Sequence, residues 1–260
     1  MQPSIMVHQL DSATIATMHL GSASTTPLVF LHGLGDSSII TFRRIAQHPA
    51  LADIPSLLLD LPGFGYSPAP TNDSISTEEQ AWQVAAILDH LDIAHTAVVG
   101  HSMGGSISIL LAHQRPDLVS RLIVAEPLLD PSQSELGKTI ARRTEAHFVE
   151  RGYEMLKLAT RRQASRGEAA AQGFREPLSR ANPTIMHRSA TSLLQERIPS
   201  FRDLFQSLPI PKTLILGART NLDTAPFTHE GITVARIPDA GHSMMSENPD
   251  AFATTISHTL

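Results

Sequence analysis

The chain contains no cysteine among 260 residues, which excludes disulfides, a thiolate nucleophile and thiolate metal sites together. No apolar run approaches the ~18 residues of a membrane span, and Met1 to Asp11 lacks the basic start and apolar core of a secretory leader. No membrane association is expected, and a cytoplasmic location follows as the default. Aromatic residues make up only 5% of the chain, and no basic stripe carries interleaved aromatics; nucleic acid is not expected as a partner. None of the histidines is grouped at metal-ligand spacing, so neither a metal nor a cofactor is expected. What remains is 42% hydrophobic and 17% charged, a composition that supports a sizeable core and argues against disorder. The length permits one α/β domain with an insertion or two small domains, as a monomer or homodimer.

Charge of either sign is spread unevenly. Between Gln133 and Ser207 there are 13 Lys/Arg against 8 Asp/Glu, which leaves 7 against 17 in the rest of the chain. A basic segment over an acidic body could steer anionic substrates, or it could be no more than the solvated faces of Arg-rich helices.

Periodicity orders the chain. Ile5 to Leu10 and Thr14 to Leu20 flank Asp11-Ser12 as a hairpin. Short apolar strands follow at Pro27 to Leu31, Ser56 to Asp60, Ala97 to Val99 and Arg121 to Ala125, with helical stretches between them. One helix, over Thr41 to Gln47, is short. A longer one begins at Ser76, where Glu79 three residues on completes a capping box and Trp82, Ala85, Ala86, Leu88 and Leu91 keep helical spacing. Alternating strands and helices predict a parallel sheet covered on both faces. The alternation stops at Asp130-Pro131. Residues 131–207 read as a helical insertion punctuated by Gly152, Gly167, Gly173, Pro177 and Pro183. It resumes with strands at Lys212 to Leu216 and Ile232 to Ile237 and a closing helix from Glu247. The expected domains are therefore 1–130 with 208–260 as one body and 131–207 as a lid.

The chemistry concentrates at Gly100-His101-Ser102-Met103-Gly104, set between a strand and a helix. A serine on so sharp a turn needs residues without side chains two positions either side, and the following helix aims unpaired N–H groups at the site. Ser102 is the candidate nucleophile. Its base must come from elsewhere, and Gly241-His242, after the last strand, brings an imidazole to the same edge of the sheet. His101 and His32 compete by residue type. One lies beside the nucleophile and points away from it; the other closes a strand.

Taken together, His32-Gly33 after the third strand, Asp60-Leu61-Pro62-Gly63-Phe64-Gly65 after the fourth, the G-x-S-x-G turn, and Gly241-His242 with Glu247-Asn248-Pro249 resemble the α/β-hydrolase fold over nearly the whole chain. The resemblance implies an eight-stranded, mostly parallel sheet with helices on both faces and a helical cap inserted after strand six. It also implies an oxyanion hole, which maps onto the backbone N–H groups of Met103 and Leu34. The usual acid, shortly after the glycine that ends strand seven, is missing from Gly217-Ala218-Arg219-Thr220-Asn221. Glu126, 24 residues after Ser102 and directly after strand six, resembles the station used by haloalkane dehalogenases and zearalenone-type lactonases. Asp223 and Asp130 are the alternative acids. Aspartate-nucleophile chemistries of this fold are disfavoured, because position 102 is Ser and the only Trp, Trp82, sits on a peripheral helix.

The resemblance therefore implies a serine hydrolase, an esterase or lactonase, acting on a small to medium carboxylic ester or lactone. The same fold also hosts lyases, C–C hydrolases, perhydrolases and small-molecule receptors with a vestigial triad. Gly33, Asp36 and Ser37 beside the oxyanion loop, and Phe148, Tyr153, Met155 and Met186 from the insertion, are the expected substrate contacts.

Overall fold

A computed structural model describes residues 4–22, 26–70, 75–228 and 231–260. Eight strands form one sheet: β1 (Ile5–Gln9), β2 (Thr14–Leu20), β3 (Leu28–Leu31), β4 (Ser56–Asp60), β5 (Thr96–His101), β6 (Val119–Ala125), β7 (Lys212–Gly217) and β8 (Ile232–Ile237). Their order across the sheet is β1-β2-β4-β3-β5-β6-β7-β8. The pairs β1–β2 and β2–β4 are antiparallel, and every other pairing is parallel. From β5 onward, chain order and spatial order coincide. Four successive carboxyl ends thus open side by side along one rim, where α/β sheets of this kind place their ligands.

The helices are α1 (Ser38–Thr41), α2 (Arg43–Ala46), α3 (Thr77–His90), α4 (Met103–Gln114), α5 (Glu135–Ala141), α6 (Glu145–His147), α7 (Tyr153–Ser165), α8 (Ala169–Arg180), α9 (Pro183–Leu193), α10 (Phe201–Ser207), α11 (Met244–Glu247) and α12 (Pro249–His258). The helix expected over 41–47 is two separate turns, because Phe42 breaks the ladder between α1 and α2. At α3 the box is present: Glu79 N–H donates to Ser76 Oγ, and Ser76 N–H to Glu79 Oε2. Trp82 lies on its outer face, exposed.

Strand periodicity divides the interior in two. Along β6, Leu122 and Val124 face a core shared with α3, α4 and α10, whereas Ile123 and Ala125 face one shared with α1, α2 and α12. Side chains alternate across a strand, so both faces must be apolar when both are covered. Helix α4 is buried along Met103–Ala112, which explains why its sequence shows no polar face.

Helices α5 to α10 lie between β6 and β7. Two residues read from sequence as punctuation, Gly173 and Pro177, are inside α8. A Cβ at Gly173 would stand 3.0 Å from the Ser246 Cβ, so the glycine lets α8 pack tightly on α11. Among the described residues, no helix is long and apolar enough to cross a membrane.

Candidate active site

Ser102 follows β5 with φ 52° and ψ −118°, a left-handed conformation that costs an ordinary residue about 1–3 kcal/mol and persists only when its surroundings enforce it. They do so through missing side chains. A Cβ on Gly100 would lie 2.5 Å from the Gly104 carbonyl oxygen, and one on Gly104 would lie 2.5 Å from that of His32. Gly104→Ala therefore drives backbone against backbone, and it should destabilise the protein by about 3 kcal/mol, or roughly 5–10 °C in Tm, in a thermal melt. The loop after β3 passes close to Ser102: a Cβ on Gly33 would meet the Ser102 Cβ at 3.2 Å. Beyond Gly33 comes the Leu34 N–H, on a residue that lines a cavity with Ser102, and the first N–H of α4 is that of Met103. Among the described residues, neither group is used in a turn or cap hydrogen bond.

The acid station is built by its neighbours. Glu126 has φ 48°, and its N–H donates to Ile215 on β7 at 2.9 Å. Helix α4 braces the segment from beneath, with Ser106 Oγ donating to Leu128 O at 3.0 Å. A Cβ on Gly105 would stand 3.0 Å from the Pro127 Cβ, so the helix also lies close against the next residue. Glu126 Oε1 accepts from Gly217 N–H at 2.7 Å and from Thr220 Oγ1 at 2.6 Å. That fixes one oxygen and leaves the other, Oε2, 3.7 Å from His242 Nδ1. Burial pushes the Glu126 carboxyl up, but His242, Thr220 and Gly217 outweigh it and hold it below the usual glutamate range. Because the folded value is the lower one, the stability its charge contributes is complete above the free glutamate range, about pH 4.3. It is lost as pH falls through the folded value. In thermal melts, the Tm gap between wild type and Glu126→Gln should therefore shrink as pH drops below that range.

The loop carrying His242 is anchored on three sides. Gly241 N–H donates to Glu247 Oε2 at 2.8 Å, Arg219 forms an ion pair with Glu247, and Arg219 Nη1 donates to Asp239 O at 2.6 Å. The His242 carbonyl accepts from His101 Nε2 at 2.8 Å. Since a carbonyl only accepts, His101 carries its proton on Nε2, and burial with His242 nearby pushes its pKa down to about 3. His32 is equally committed: Nδ1–H donates to Gly33 O, and Nε2 accepts from Leu61 N–H. His242 keeps an open ring, half-exposed to the cavity. Ser102, Glu126, His242 and Leu34 line one cavity of ≈ 540 Å³. Among the described residues, no hydrogen bond joins the Ser102 hydroxyl to the imidazole, although both line the cavity.

The sequence over residues 26–249 matches the alpha/beta hydrolase fold family. The chain belongs to that family. As an α/β hydrolase it is 26% identical to the mouse sn-1-specific diacylglycerol lipase ABHD11, across 92% of this chain and 82% of the relative. It is 41% identical to the dihydrolipoyllysine-residue acetyltransferase component of the acetoin cleaving system of Pseudomonas putida, over 46% of this chain and only 32% of that protein. Among solved structures, a thermophilic esterase from Thermogutta terrifontis superposes with a TM-score of 0.80, at 20% identity, covering 99% of this chain and 97% of that one.

Within this α/β hydrolase the cavity gathers some of the residues expected from sequence and omits others. Gly33 and Asp36 line it. Ser37 does not: its hydroxyl donates to the Asp60 carboxylate at 2.9 Å and caps α1 through Ile40 N–H. Phe148 is buried against the rings of Tyr153 and His187. The Tyr153 hydroxyl is shared between the carbonyls of Leu178 and Ala181, Met155 is exposed, and Met186 is fully buried where a Cβ on Gly35 would stand 2.6 Å from its Cε. Phe148 and Tyr153 serve the insertion's own packing, Met186 packs the insertion onto the loop after β3, and Met155 faces outward; none of the four lines the cavity. The alternative acids are elsewhere as well. Asp223 is exposed and accepts from Ala225 N–H, and Asp130 is ion-paired with Arg202.

The insertion contributes Leu136, Thr160 and Phe174 to the cavity, and the histidine loop contributes Met245. Despite the basic balance of residues 133–207, neither Lys nor Arg is found among the described residues lining the cavity, so the excess charge faces solvent rather than substrate.

Proposed function

We propose that the protein hydrolyses a small to medium carboxylic ester, open-chain or lactone, through an acyl-enzyme on Ser102. The observation that carries this reading is the division of labour on Glu126. One carboxylate oxygen is tied to Gly217 and Thr220, and the other is left for His242 Nδ1. A proton held on Nδ1 by Glu126 leaves the lone pair of Nε2 as the base. As Ser102 Oγ bonds to the carbonyl carbon, Nε2 takes the hydroxyl proton and the carbonyl oxygen gathers negative charge. In this reading the Leu34 and Met103 N–H groups receive that charge, and one such donor is commonly worth about 3 kcal/mol of barrier. The imidazolium then protonates the departing alkoxide, the C–O bond breaks, and the alcohol leaves. Water adds to the acyl-enzyme by the same proton route, releasing the acid and restoring Ser102. No step requires a cofactor, and the half-exposed imidazole leaves water a way in.

Fluorophosphonate labelling with peptide mapping, beside proton-release assays on esters and lactones, tests the reading. An adduct on Ser102 with many turnovers per protein is expected. Turnover without an adduct on Ser102 would favour a lyase or other acylation-free route, and a single burst followed by stalling would favour a receptor. Either result overturns the proposal.

A further inference from the structure

Four carboxylates line the cavity, Asp36, Glu126, Glu135 and Glu168, and no cation balances them from its described walls. Three have a ready account. Glu126 is engaged by Gly217, Thr220 and His242; Glu135 is exposed and paired with Lys138 at 2.7 Å; and Glu168 is exposed. Asp36 differs. It is only 7% exposed, and both of its hydrogen bonds fall on one oxygen: Ser37 N–H donates to Oδ1 at 2.8 Å and Thr41 Oγ1 to Oδ1 at 2.5 Å. Among the described residues Oδ2 has no partner, yet it is not sealed from the cavity. A carboxylate oxygen on a largely buried side chain, open to the cavity and without a protein donor, is poorly solvated, so a group that supplies a donor on binding is favoured.

The position of Asp36 says where that group would sit. Asp36 N–H closes a turn onto Gly33 O at 3.2 Å, which holds the carboxylate two residues beyond Leu34, whose N–H the hydrolase reading assigns to the oxyanion. A substrate carbonyl seated there would have Asp36 near its flank. Resting on the hydrolase reading above, we infer that Asp36 is a specificity-determining residue: its free oxygen accepts a hydrogen bond from an O–H, N–H or ammonium group of the substrate and excludes esters that carry a second, anionic group. The preferred class is thus neutral or cationic esters and lactones bearing a hydrogen-bond donor close to the scissile carbonyl. Burial raises the Asp36 carboxyl and His32, Thr41 and Ser37 oppose that shift, which agrees with a group whose charge is incompletely compensated until a donor arrives. Apart from the three glutamates, the cavity's other polar side chains include the uncharged Thr41, Thr160, Gln163 and Ser246, which set no opposing preference.

The test is a set of esters of matched length that end in methyl, hydroxyl, ammonium or carboxylate, with the end group placed on the acyl chain in one series and on the alcohol in the other. Turnover is followed by proton release in wild type and Asp36→Asn. In at least one series the wild type should turn over the carboxylate-ended ester about 10- to 100-fold less well, in kcat/KM, than the methyl-ended one, as expected for a like charge within a few ångströms at partial burial. The hydroxyl- or ammonium-ended esters should equal or exceed the methyl-ended one. Asp36→Asn keeps an oxygen for Ser37 and Thr41 and should shrink the ammonium-to-carboxylate ratio by about tenfold or more. Equal turnover of methyl- and carboxylate-ended esters by wild type, or a ratio unchanged in a folded Asp36→Asn, overturns this inference and leaves the hydrolase reading intact. Failure of wild type to hydrolyse any member of either series overturns both. If Asp36→Asn does not fold, Glu135→Gln and Glu168→Gln decide in its place: a wild-type preference retained in both supports Asp36, and one lost in either overturns this inference.

Discussion

Ser102→Ala is expected to lower kcat/KM for any ester the protein turns over by about 10⁵-fold or more while leaving Tm unchanged. The size follows from the absence of a substitute. His101 is buried, is held on the His242 carbonyl and lies on the flank of the turn, and the other cavity hydroxyls, those of Thr41, Ser134, Thr160, Thr220, Ser243 and Ser246, are not at the start of α4. The loss should be confined to kcat, because the cavity wall, the oxyanion donors and His242 all persist. Fold retention follows from the same geometry. The turn is held by the glycines on either side and by the bond from Ser102 N–H to Ala125 O at 2.9 Å, none of which involves the hydroxyl. Steady-state kinetics beside a thermal melt check both halves, and a variant that keeps more than about one per cent of wild-type turnover would remove Ser102 from the mechanism.

The second large effect concerns the acid. Glu126→Gln should reduce kcat by roughly 10²- to 10⁴-fold, while Asp223→Asn and Asp130→Asn should stay within about twofold of wild type. A glutamine retains an oxygen for Gly217 and Thr220, so the turn survives. It then presents an NH₂ where Oε2 had been, and that group donates to His242 Nδ1 instead of accepting from it. The imidazole proton moves to Nε2, the atom that must accept the serine proton, and the base is lost without any change of shape. Asp223 accepts from Ala225 N–H and Asp130 pairs with Arg202, so their charges do not reach the ring. Equal losses in all three variants would detach Glu126 from the histidine.

Those two expectations rest on residues that were legible to different degrees. Ser102 and His242 stood out because glycine spacing and position after a strand are local properties, and local sterics dictate them wherever the turn occurs. The sheet was legible for a similar reason: a strand covered on both faces must be apolar throughout, and five such runs separated by helical patterns leave few other arrangements. Glu126 was reachable through its place at the end of β6, but its distinction from Asp223 and Asp130 depends on Gly217 and Thr220, 91 and 94 residues further along. No pattern within either segment announces that pairing.

The insertion was the least legible part. Phe148, Tyr153 and Met186 are apolar at helical spacing and so is Phe174, yet only Phe174 reaches the cavity. Periodicity marks which face of a helix is buried and is silent on whether the buried face meets another helix or an open pocket. Charge is ambiguous in the same manner: the excess of Lys and Arg in residues 133–207 fits either substrate steering or solvated helix faces, and only the cavity wall, lined by carboxylates and uncharged polar groups, favours the second.

The sequence alone thus determined the elements that answer to nearest neighbours: strands, the strained serine turn, the helix box at Ser76 and the stations after each strand. Only the tertiary structure decided which carboxylate faces His242, which face of the insertion meets the ligand, and that Asp36 keeps one oxygen free. The physical reason is range. Backbone sterics and side-chain periodicity act over a few residues, whereas the direction of a carboxylate oxygen is set by donors brought together from distant parts of the chain.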